Sequence, residues 1–286
     1  MNRPKHRGVR AATRSLLVVA SAVLAVVIGL FLHGNARFKE LLPPFSALAS
    51  PQPGIVQPSP PRAENAPPPG REEADAPLGS PPAPAVASDS YKFLATNDDG
   101  TPVGYSPCRP LHYVVNSATA PPGSDALLST AIEKISTATG ISFVNDGSTD
   151  ELPVPHREPY QRAKYGDRWA PLLISWTTPD VAPALAGNVI GTGGSTMYSL
   201  NKGPKSYITG SLELDTPQIT ELLAEQGGKD YVLAVMQHEL GHVMGLDHVD
   251  DPVQLMYPEI GAPDGLAAGD LNGLYRLSSA PCRKDI

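Results

Sequence analysis

The chain has 286 residues, among them 32 Pro and 2 Cys, with 18% charged residues and a formal net charge of -7. That length allows one domain of about 200 residues with appendages, or two smaller domains. The composition excludes collagen, a disulfide-dense mini-protein and a multi-span membrane protein. Residues 1–40 carry seven Arg/Lys against Glu40 alone, a net +6 that leaves -13 for the rest. A remainder that acidic repels a phosphate backbone, which argues against a nucleic-acid partner.

Leu16 to Leu32 is a run of 17 residues without a charge, preceded by five Arg/Lys. As a helix it would span roughly 26 Å, near the lower limit for crossing a bilayer. The basic flank stays cytoplasmic, so everything after it is expected outside the cytosol. Residues 1–36 are therefore a basic segment with a single-pass membrane anchor, or a signal peptide cut near Gly34-Asn35-Ala36 that releases a secreted protein. Fourteen of the prolines lie between Pro43 and Pro84. Residues 37–89 accordingly read as an extended Pro-rich linker, with a pro-segment that covers an active site as the alternative.

From residue 90 to 286 the composition is globular and the pattern is that of one α+β domain, expected to act as a monomer. Strands are expected at 111–115, 141–144 and 172–176, with shorter ones at 189–190 and 211–214 between Gly-rich loops. Helices are expected at 124–138, capped by Ser124 or Asp125, at 229–244, and at 267–277. Cys108 and Cys282 are an even pair in an exported domain, which favours a disulfide. The alternative is a Cys108 thiolate on a metal in a latent form.

The chemistry is concentrated in His238-Glu239-Leu240-Gly241-His242-Val243-Met244-Gly245-Leu246-Asp247-His248. Residues four apart share one helix face, so His238 and His242 can hold one Zn²⁺ between them. Glu239 follows the first ligand, placed to take a proton from a water and pass it to a leaving amine. Gly245 permits the left-handed turn that stops the helix, and His248 beyond it can return as a third nitrogen ligand. Three protein ligands leave a fourth position open, the mark of a catalytic zinc site. A bland amphipathic helix accounts for Val232, Val235, Met236, Leu240 and Val243, but not for three spaced histidines.

With Leu255-Met256-Tyr257-Pro258 following, the motif resembles the metzincin clan of zinc endopeptidases, and most closely its matrixin branch. The resemblance implies a metzincin-like catalytic domain with a mixed twisted sheet, an active-site helix, a Met-turn and a C-terminal helix. It also implies that Met256 forms a turn beneath the zinc without binding it, and that Asp270 is a structural carboxylate. There is no second His-rich cluster between 150 and 215, where His156 stands by itself. Structural calcium has no recognisable motif here, and Glu213 and Asp215 read as solvated strand residues. Ile260 stands where matrixins place a Tyr in the substrate pocket. His112 reads as a packed or edge histidine and Asp247 as a residue next to the site. Gly191-Thr192-Gly193-Gly194 is not a phosphate loop; by analogy it is a loop beside an edge strand on which an extended peptide would lie.

The expected function is zinc-dependent hydrolysis of protein or peptide substrates. Two rivals remain: an exported zinc-containing binding or adhesion module without catalysis, and a zinc hydrolase of a non-peptide cell-wall amide.

Overall fold

The computed structural model describes residues 65–259 and 265–286. The apolar run Leu16–Leu32 and Ile260 lie outside them. Among the described residues no helix is long and apolar enough to cross a membrane.

The element order is β1 (Lys92–Phe93), β2 (Leu111–Asn116), α1 (Ser124–Thr139), β3 (Phe143–Ser148), α2 (Arg162–Tyr165), β4 (Leu172–Thr177), β5 (Gly191–Tyr198) and β6 (Ser206–Asp215). Then follow α3 (Thr216–Ala224), α4 (Gly228–Met244), β7 (Leu246–Asp247) and α5 (Ala268–Leu277). Five strands form a mixed sheet in the order β3-β2-β4-β6-β5. β3, β2, β4 and β6 are mutually parallel, and β5 closes one edge antiparallel to β6. The central strand β4 is buried along its whole length, as its unbroken Leu-Leu-Ile-Ser-Trp run requires. α1 bridges the parallel pair β2 and β3, and its buried Leu128, Ala131, Ile132 and Ile135 face α4 and the core. α4 packs on β5 and β6 and is buried from Val232 to Met244 except at Leu233. This is the α+β architecture with a mixed sheet.

The structure corrects several expectations. The Gly-rich stretch at 191–194 is not a loop; it opens β5, the strand that packs against α4. Neither Ser124 nor Asp125 caps α1: the cap position is Gly123 in a left-handed conformation, and the Ser124 hydroxyl donates back to the Pro121 carbonyl. Asp215 is not solvated. It is 1% exposed and caps α3, accepting from the Gln218 backbone N–H at 3.0 Å and from Gln218 Nε2 at 3.0 Å. Glu213 is half-buried and accepts from the Thr192 hydroxyl across the β5–β6 pair.

The boundary expected at 89/90 also moves. Residues 65–89 lie along the domain: the Ala74 N–H donates to the Cys108 carbonyl, Leu78 N–H to the Pro107 carbonyl, and Asn272 Nδ2 to the Val86 carbonyl. Prolines lack donors, so the few N–H groups between them do this anchoring. A further anchor is Glu73, whose side chain is fully buried. Its Oε1 accepts from the Ser106 hydroxyl and the Arg283 backbone N–H, and its Oε2 lies 3.8 Å from the Arg109 guanidinium. Cys108 and Cys282 are joined as a disulfide between these contacts, so Cys108 offers no thiolate. The C-terminal Ile286 is 2% exposed and packs with Trp169, Tyr198, Ile208 and Ala66.

The long connection from β3 to β4 is tied by Glu151, which accepts from Arg157 Nε at 2.7 Å, Arg157 Nη2 at 3.1 Å, Gln161 Nε2 at 2.9 Å and the Tyr165 hydroxyl at 2.5 Å. Burial pushes the Glu151 carboxyl up, but these donors outweigh it and bring it down to about 2. The folded value lies below the unfolded one, so the stabilisation is complete above about pH 4.5 and is lost as pH falls through about 2. Glu151→Gln is therefore expected to lower the melting temperature at pH 7, with the difference from wild type shrinking between pH 4.5 and 2 in melts taken across that range. Glu73→Ala leaves Arg109 without its buried partner and is expected to cost about 3 kcal/mol, read from the denaturant midpoint.

Candidate metal centre

α4 carries His238 and His242 one turn apart, both buried, and ends at Gly245. Gly245 has φ 117°, a conformation that side chains resist, and its N–H closes the helix on the Gly241 and His242 carbonyls. A Cβ there would also lie 2.9 Å from the Tyr207 ring. The chain reverses through β7 and brings His248 back, so that His248 Nε2 lies 3.1 Å from Nε2 of both His238 and His242. All three imidazoles fall in one cluster with ligand atoms within 4.8 Å of one another.

The other ring nitrogens fix the tautomers. His238 Nδ1–H donates to the Leu255 carbonyl at 2.7 Å, and His242 Nδ1–H to the Leu246 carbonyl at 2.8 Å. Their Nε2 atoms are then lone-pair acceptors aimed at the same point. Burial holds His238 well below the usual imidazole range and brings His242 down to about 3, with the neighbouring imidazoles adding to the effect. His248 is also lowered by burial, against the pull of Asp247. The three rings are therefore neutral. Two nitrogen ligands at about 2.05 Å on a tetrahedral ion sit roughly 3.3 Å apart. The observed spacing of 3.1 Å fits zinc.

Glu239 is 1% exposed. Burial pushes its carboxyl up to about 8, opposed by the Gly193 N–H. Its Oε1 has no hydrogen-bond partner among the described residues, an unmet acceptor that a water would satisfy. Gly191 and Gly193 make this placement possible: a Cβ on Gly191 would lie 2.9 Å from Glu239 Cγ, and one on Gly193 only 2.1 Å from the Glu239 carbonyl oxygen. The sequence reading placed these two beside an edge strand but did not pair them with Glu239, because glycines at that spacing read equally as a loop.

Beneath the histidines, Met256 is 1% exposed and packs on Gly241, where an added Cβ would meet its sulfur at 2.6 Å. Asp270 of α5 accepts from the Leu255 N–H at 2.8 Å, the Met256 N–H at 3.1 Å and the Ala267 N–H at 2.8 Å. It thereby holds the turn whose Leu255 carbonyl orients His238. A relay also reaches α4 from β5: the Tyr105 hydroxyl is 2.6 Å from the Ser195 hydroxyl, which donates to the Val243 carbonyl at 2.7 Å. The other described histidines lie outside the cluster. His156 is exposed, and His112 sits 2.8 Å from Asp146 and 3.6 Å from Glu72. Asp247 accepts from the His248 backbone N–H.

A mixed sheet, a helix bearing His-Glu-x-x-His, a third histidine past a glycine turn and a buried Met beside them make an arrangement that resembles the metzincin zinc metalloproteases. Residues 191–277 match the matrixin family of peptidases. The chain is 35% identical over 95 residues to a macrophage metalloelastase from Oryctolagus cuniculus, covering 32% of this chain and 19% of that protein. It is 47% identical over 49 residues to a matrilysin from Felis catus, covering 16% of this chain and 19% of that protein. The chain thus spans 19% of the length of each of these relatives. Among solved structures, an archaemetzincin from Methanopyrus kandleri aligns with 59% of this chain and 95% of its own, at 16% identity and a TM-score of 0.37.

Gly193→Ala is expected to force β5 away from α4. The substitution should cost about 1–3 kcal/mol in the denaturant midpoint while leaving the zinc stoichiometry of the folded protein at one, as counted by metal analysis.

Proposed function

We propose that the protein is a zinc-dependent endopeptidase, with His238, His242 and His248 as the metal ligands and Glu239 as general base. The observation that carries this reading is the convergence of three imidazole Nε2 atoms beside a buried carboxyl group with one oxygen unpartnered among the described residues. Bound there, zinc supplies Lewis-acid polarisation of a substrate carbonyl and a water acidic enough to ionise near neutral pH. Glu239 takes the water's proton on a carboxylate oxygen and gives it to the leaving amine nitrogen, so that one water is consumed per peptide bond. The carboxylate form it needs is favoured when a cation is held next to it, opposing the effect of burial. An extended substrate would lie along β5, where Gly191 and Gly193 bring the strand against Glu239. Met256 supports the ligands from below without binding the metal.

The chain is proposed to be exported, through residues 1–36 acting as an anchor or a cleaved signal. The Cys108–Cys282 disulfide supports an oxidising compartment.

Glu239→Ala is expected to keep its zinc and lose about 10²–10⁴-fold in cleavage of a peptide library, with a chelator abolishing the wild-type activity. An unchanged rate in the purified variant would sink the mechanism. Cleavage of cell-wall amides but not of peptides would point to the rival hydrolase.

A further inference from the structure

His242 and His248 are joined by Val243–Asp247, and the end of this link is not held by the helix. Its partner is the chain that enters the domain. β1 pairs antiparallel with β7, Lys92 opposite Asp247 and Phe93 opposite Leu246. One step further the Leu94 N–H donates to the Gly245 carbonyl at 2.9 Å. Each residue from Gly245 to Asp247 is thus matched by one from Lys92 to Leu94.

This entering segment is itself wedged against α5. A Cβ on Gly269 would lie 2.1 Å from the Ser90 carbonyl oxygen, and one on Gly273 would lie 2.9 Å from Tyr91 Cβ and 2.7 Å from Leu246 Cδ2. These glycines are four apart, on one face of α5, and let the helix close on residues 90–91 and on β7 together. Tyr91 also packs against Phe93, with ring centroids 5.3 Å apart, and lies under Arg276. The Leu246 carbonyl that orients His242 therefore belongs to a two-residue strand gripped from one side by β1 and from another by α5.

We propose that residues 90–94 are a positioning element of the metal centre. They set the Leu246 carbonyl and the lead-in to His248, and so set the geometry of two of the three imidazoles. The inference rests on the reading of those histidines as zinc ligands. It requires the mature protein to retain this segment, so any processing cut falls before residue 90. A pro-segment that includes 90–94 and is shed on activation is incompatible with it.

The test is hydrogen exchange on the full chain, zinc-loaded and chelator-treated, combined with zinc affinity by chelator competition for Leu94→Pro and Leu94→Ala. Zinc loading is expected to slow exchange at 92–94 together with 246–248. Leu94→Pro, which lacks the N–H that Gly245 accepts, should weaken zinc binding by about 10–100-fold, while Leu94→Ala, which keeps it, should bind as wild type. Protection at 246–248 without any response at 92–94 would overturn the proposal, as would wild-type affinity in a folded Leu94→Pro. Should Leu94→Pro not fold, the exchange measurement on the wild-type chain decides. Failure of the wild-type chain to bind zinc would instead remove the reading on which the inference stands.

Discussion

His248 Nε2 lies 3.1 Å from Nε2 of both His238 and His242, and those two rings turn their lone pairs inward because their Nδ1–H groups donate to main-chain carbonyls. Two buried acceptors that converge on one point beside a third imidazole are a ready seat for a cation. The surrounding structure is organised to enforce it. The Leu255 carbonyl is held by a turn that Asp270 ties from α5, and the Leu246 carbonyl by a strand that pairs with β1. Both tautomers thus depend on elements distant in sequence from α4.

Packing density explains the placement of small residues around this centre. Gly241 makes room for Met256, Gly191 and Gly193 for the approach of β5 to Glu239, and Gly269 and Gly273 for residues 90–91. Each is a site where one added carbon would push apart two elements that the metal centre needs in register. The stability of the frame comes from elsewhere: the buried strand β4, the Glu151 clamp on the β3–β4 connection, and the Glu73 anchor beside the Cys108–Cys282 disulfide.

The metal centre was legible in the sequence to the extent that local spacing determines it. His238 and His242 are set by helical periodicity, and Gly245 announces the turn before His248. The central strand β4 followed from an unbroken apolar run, and the helices α1, α4 and α5 from spaced apolar residues and end signals. Features fixed by long-range packing were not legible. β5 was obscured because its first residues are chosen to fit against α4 and not for strand propensity. Asp215 looked solvated because a cap is defined by the donors it meets, and those lie on α3. The stretch from 65 to 89 looked like a tether because its prolines mask the few backbone donors and the one buried carboxylate that fasten it. Two-residue strands such as β1 and β7 are too short for any periodic signal.

The chemistry of the site depends on what lies between the three histidines. X-ray absorption spectroscopy of the zinc-loaded protein is predicted to show three imidazole nitrogens and an oxygen donor at about 2.0–2.1 Å. A sulfur donor near 2.3 Å, or protein that retains no zinc after dialysis at neutral pH, would contradict it.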